Sequence, residues 1–137
     1  MKKHLNLSLA YAIAAMVGGV FYREFTKYSG FSGVTALGKV HVHLFLLGMP
    51  VFLVVALYGA HNDLRKIETF CAFLWTYNIG VPLTAVMLAV RGVAQVRGMA
   101  LSAAANASIS GIAGIGHILT GIGIILLLLS FKKLAKN

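Results

Sequence analysis

Two histidines one residue apart, His41 and His43 in "GKVHVHLFLLGMP", sit at the head of an otherwise apolar run. An ionisable side chain in hydrocarbon is costly, so each is a functional candidate that needs a partner. Successive residues of an α-helix are rotated by about 100°, which points the two rings roughly 160–200° apart. They cannot close on one metal from a regular helix, as an i, i+4 pair does. They therefore serve two different sites. Neutral imidazole is a common metal ligand and an axial ligand of haem iron.

Other residues suit a non-covalent haem. Gly48 lies seven residues beyond His41, two turns along the same face, where a missing side chain leaves room for a macrocycle. Leu44, Phe45, Leu46 and Leu47 supply apolar walls. Lys39, Arg23, Arg91 and Arg97 fall on one side of the expected membrane and suit propionates through charge-assisted hydrogen bonds. His117, in "GIAGIGHILTG", is the most deeply placed histidine, suited to ligating a cofactor or bonding across a helix interface. Cys-x-x-Cys-His is absent, so attachment through thioethers is not expected. On spacing alone a rival stays open, in which His41 and His43 sit at the interface and bond to loops and headgroups.

The elements that must carry these residues follow from composition. The 137 residues are 59% hydrophobic and only 11% charged, with a mean hydropathy of +0.87. The apolar residues come in blocks free of formal charge: Leu5 to Tyr22, Val40 to Ala60, Phe70 to Val90 and Gly98 to Phe131. Crossing a bilayer core takes roughly 20 apolar residues. Helices are expected over about 5–22, 37–58, 70–90 and 107–131, giving a single all-α, integral-membrane four-helix bundle. The first block is longer than the usual apolar core of a signal peptide, which argues against cleavage. Cys71 is the one cysteine; it excludes an internal disulfide and reads as a small packing residue.

The net charge of +9 is dispersed over loops and ends, which fits membrane flanks and lipid rather than nucleic acid. Lys2, Lys3, Arg65, Lys66, Lys132, Lys133 and Lys136 share the side of the termini. Arg23, Lys27, Lys39, Arg91 and Arg97 share the other, so both ends are expected in the cytoplasm. Small residues at i, i+4 spacing mark close helix approach: Ala10, Ala14 and Gly18, and Ala113 and Gly121 about His117. Asn78 and Thr84 are expected to bond between helices, Trp75 and Tyr77 to pack or to sit at the interface, and His4 and His61 to sit at polar ends.

The stretch "YREFTKYSGFSGVTALGKVHVHLFLLGMP" resembles the signature of a small bacterial four-helix membrane family without an assigned function. That family in turn resembles haem-copper oxidase subunit I, whose twelve helices form three four-helix arcs. In the oxidases a His-x-His on the second helix of one arc ligates two different haems. The resemblance implies that His41 faces the high-spin position and His43 the low-spin one. One chain is a third of that body, so it implies a homotrimer in the bacterial inner membrane. His41 of one copy and His43 of its neighbour would then clamp one b-type haem, three per trimer.

The chain departs from the oxidases in having no His-His pair, no matching His–Tyr spacing and no intramembrane Glu or Lys. A complete oxidase is therefore not expected. The expected role is electron transfer with an unidentified redox partner, or redox or diatomic-gas sensing. The rivals are a cofactor-free channel or assembly partner, and a copper site at an interface between copies.

Overall fold

The computed structural model describes residues 1–135; Lys136 lies outside them. Four long helices account for most of the chain: α1 (Lys2–Tyr28), α2 (Leu37–His61), α3 (Glu68–Val96) and α4 (Ala103–Leu134). All four are long and apolar enough to span a membrane. Only 17% to 39% of their most apolar stretches is buried within the chain. Leu9, Ile13, Met16, Val17, Val20 and Trp75 project outward, an apolar surface far beyond what water tolerates. The protein is a multi-pass membrane protein. Each helix also runs past its expected bounds, because polar ends such as "REFTKY" and "RGVAQV" continue helical beyond the hydrocarbon-length core.

The turns follow from local chemistry. α1 stops at Ser29 and Gly30, where Gly30 takes φ +61°, a conformation only glycine adopts freely. Gly98 does the same between α3 and α4, at φ +62°. The start of α2 is tied to the end of α3: Thr35 Oγ1 donates to the Gly92 carbonyl at 3.0 Å and accepts from the Leu37 amide at 3.2 Å. Ser102 caps α4, its Oγ accepting from the Ala105 amide at 3.2 Å.

α2 is not regular. Leu44 to Gly48 forms a π turn immediately after His43 and just before Pro50, which has no amide hydrogen to give the helix. Two hydroxyls from neighbouring helices reach carbonyls here. Tyr77 donates to Leu47 O at 2.7 Å from α3, and Ser8 donates to Met49 O at 2.7 Å from α1.

Packing is closest between sequence neighbours, α1 on α2, α2 on α3 and α3 on α4. The last pair is the tightest, because glycines let the backbones meet. A Cβ on Gly80 would stand 2.6 Å from the Thr120 amide nitrogen, and one on Gly116 would stand 2.9 Å from that of Thr84. Phe52, Phe70, Phe73 and Tyr77 fill the centre and are fully buried. The diagonals meet more loosely. Tyr11 of α1 donates to Asn78 Oδ1 of α3 at 3.3 Å, and Tyr58 of α2 stacks on Phe131 of α4 at 4.2 Å. One groove thus opens between α1 and α3 over Leu44, and another between α2 and α4.

Several expectations change in this packing. Cys71 is exposed rather than packed, its thiol near the Arg65 carbonyl. His4 is buried edge-on against Phe70 instead of sitting at a polar end, because α1 begins at residue 2 and lays its first turn on α3. Asn78 does bond between helices, whereas the Thr84 hydroxyl is buried against Gly116 without a partner among the described residues.

Candidate functional site

His41 and His43 do face opposite sides of α2. His41 turns toward α1, where its ring lies along Tyr22 at 6.3 Å and 16° between planes. It passes close to Gly19, where a Cβ would stand in ordinary contact with His41 Cβ and Cγ at 3.6 Å. The Nδ1 atom of His41 is buried and has no hydrogen-bond partner among the described residues.

His43 turns the other way, toward α4. Its Nδ1 lies 3.0 Å from the Lys39 carbonyl, one turn back on its own helix. A carbonyl only accepts, so Nδ1 carries the hydrogen; in the neutral ring Nε2 then keeps its lone pair, the form that ligates metals. His117 repeats the device, with Nδ1 2.9 Å from the Ala113 carbonyl. The two rings approach with centroids 6.0 Å apart and planes at 87°. His43 and His117, 74 residues apart, are therefore neighbours within one chain.

The surroundings of this pair differ above and below. Two turns along α2 from His43, and two turns along α4 from His117, lie Pro50 and Ile124. These two residues, with Val51, Val54, Leu127 and Phe131, line the wholly apolar groove between α2 and α4, about 280 Å³ in volume. On α4, Gly114 and Gly121 flank His117, and a Cβ at either would meet nothing within 4 Å. The surface around His117 is flat and open. Toward the opposite end, Arg91 reaches from α3 to α4, bonding the Ser110 hydroxyl at 2.8 Å and the Asn106 carbonyl at 3.3 Å. Lys39 is exposed one turn before His43.

The remaining predicted residues stand apart. Gly48 does not leave room for a macrocycle: it is buried, and a Cβ there would collide with Cβ, Cγ and Cδ1 of Tyr11. It is small so that α1 can close on α2. Arg23 is exposed and 3.6 Å from Glu24, a surface pair worth little. Arg97 lies over the Phe25 ring at 5.9 Å, holding the end of α3 to α1. Both occupy the Lys39 end of the bundle, away from the paired rings.

Among the described residues, no three of His, Cys, Asp and Glu come together to hold a metal. Copper held by one chain would have only the His43–His117 pair. Haem iron asks the protein for no more than two axial nitrogens, beside apolar walls and with cations near one edge. His43, the α2–α4 groove, and Lys39 and Arg91 fit those demands. Sequence reasoning had no signal for pairing His43 with His117, because helix periodicity does not say which two helices face each other.

No curated protein and no solved structure matches the chain, so the likeness to the oxidase subunit rests on His-x-His and the helix count. Residues 1–134 do match one family model over almost the whole length, and the chain belongs to the family described as "Protein of unknown function (DUF2871)".

Proposed function

We propose that this protein is a membrane-embedded b-type haem protein whose work is electron transfer, with His43 as an axial ligand. The observation that carries the reading is the Nδ1 of His43 held on the Lys39 carbonyl at 3.0 Å, which leaves Nε2 for coordination. The hydrogen bond fixes the tautomer and the direction of the ring, and it makes the coordinating nitrogen more basic. Pro50, Val51, Ile124 and Leu127 keep water from the macrocycle's faces. Lys39 and Arg91 stand where propionates would emerge, and Arg91 is already oriented by Ser110.

Bound there, haem supplies a one-electron couple. If protein nitrogens fill both axial positions, diatomic gases would find no free position and electron transfer is favoured; an open position would favour sensing. Self-association into the ring of three implied by the oxidase likeness belongs to the same proposal, since it would cover the open side of the α2–α4 groove.

The test is the absorption spectrum of detergent-purified protein, oxidised and dithionite-reduced, with a pyridine haemochrome assay. A Soret band and sharp reduced α and β bands, at about one haem per chain and lost in His43→Ala, are the expected outcome. Protein that purifies colourless from haem-replete cells and takes up no added hemin refutes it.

A further inference from the structure

The haem proposal leaves the second axial nitrogen to be assigned, and the expected donor, His41 of a neighbouring copy, fits poorly. The His41 ring is laid along Tyr22 and against Gly19 of its own α1, with Nδ1 buried. His117 has the opposite character. It is exposed, it lies on the flat Gly114–Gly121 surface, and Nδ1 is already occupied by the Ala113 carbonyl.

α4 begins at Ala103, so His117 lies about 21 Å along it at 1.5 Å per residue, well inside the span. An imidazole left facing lipid at that depth is costly, and such residues mark functional positions. The ring separation is compatible with that role, and both rings have Nδ1 tied to their own helix, which leaves the Nε2 sides for a shared group. Metal–nitrogen bonds of about 2 Å put the centroids of two trans imidazoles about 6 Å apart. His43 and His117 stand at 6.0 Å, with planes at 87°.

We infer that His43 and His117 of the same chain are the two axial ligands, so that each chain carries a complete haem site and self-association is not needed to build it. This rests on the haem reading above. His41 is then a packing residue of the α1–α2 contact. The plane angle has a spectroscopic consequence: nearly perpendicular axial imidazoles give ferric low-spin haem a strongly anisotropic electron paramagnetic resonance signal, whereas parallel ones give a rhombic signal.

The experiment compares wild type with His117→Ala, His117→Met and His41→Ala, each purified in detergent. His117 makes no side-chain bond beyond its own helix, so replacing it leaves the packing of α3 on α4 in place. The expected results are an anisotropic low-spin signal in wild type and its loss in His117→Ala. His117→Met should keep a low-spin spectrum at a raised midpoint potential, because a His/Met pair favours the ferrous state. His41→Ala should keep the wild-type spectrum, and the low-spin haem should persist in protein diluted to monomer. Haem retained with an unchanged low-spin spectrum in His117→Ala, or lost in His41→Ala, overturns this assignment while leaving the haem reading intact. A colourless wild type overturns both.

Discussion

Gly48→Ala separates two roles for one residue by the sign of its effect. In an unobstructed helix, alanine stabilises relative to glycine by about 0.8–1.0 kcal/mol. At position 48 the new methyl would overlap Cβ, Cγ and Cδ1 of Tyr11. Those atoms are the root of the side chain, so no rotamer change carries all of them away, and Tyr11 is itself stacked on Phe52 at 5.5 Å. Relief requires α1 to back off α2, and overpacking of this kind costs about 1–3 kcal/mol. Subtracting the helix gain leaves a net loss of about 0–2 kcal/mol. The assay is reversible unfolding in mixed micelles, followed by helical circular dichroism, as a double-mutant cycle with Tyr11→Ala. Tyr11→Ala removes Cγ and Cδ1 and keeps only Cβ, 2.6 Å from the new methyl, so Gly48→Ala should destabilise less in that background, a coupling of about 0.5–3 kcal/mol. If Gly48→Ala stabilises the wild-type background by about 1 kcal/mol, as free helix would, the packing argument is wrong.

Three further substitutions test the frame around the site. Gly116→Leu should separate α3 from α4 and cost 3 kcal/mol or more, about the upper end for overpacking, in the same unfolding assay. Tyr77→Phe removes the hydroxyl from the Leu47 carbonyl and should cost about 1–3 kcal/mol; amide exchange over 44–50 should quicken if that bond holds the π turn. Ser102→Ala removes the α4 cap and should cost about 1 kcal/mol, with faster exchange at Ala105 and no change at His117.

Much of this frame is readable from the sequence, and the rest is hidden for physical reasons. Charge-free blocks of hydrocarbon length yield four spans, and glycines at 30 and 98 mark turns that need positive φ. The 100° rotation per residue places His41 and His43 on opposite sides, as found. The same arithmetic places Gly48 on the His41 side, also as found. What arithmetic cannot give is the occupant of that side: α1 covers it, so Gly48 meets Tyr11. His43 and His117 meet through tertiary packing of helices separated by a whole third span, which leaves no local trace. The π turn is equally silent, since a proline inside a helix can be absorbed in several ways and two hydroxyls from other helices help select this one.

Those two hydroxyls bear on how the protein matures in the bilayer. Alone in lipid, α2 has no Ser8 and no Tyr77 to support its carbonyls near Pro50, and the proline alone does not select the widened turn among the ways of absorbing its missing bond. The bend in α2 is therefore written by its neighbours as they assemble. Until α1 docks from one side and α3 from the other, the direction of the upper half bearing His43 is not fixed relative to the lower half bearing Pro50. A competent groove is accordingly a late product of folding, and any group that binds there selects chains whose first three helices have already closed.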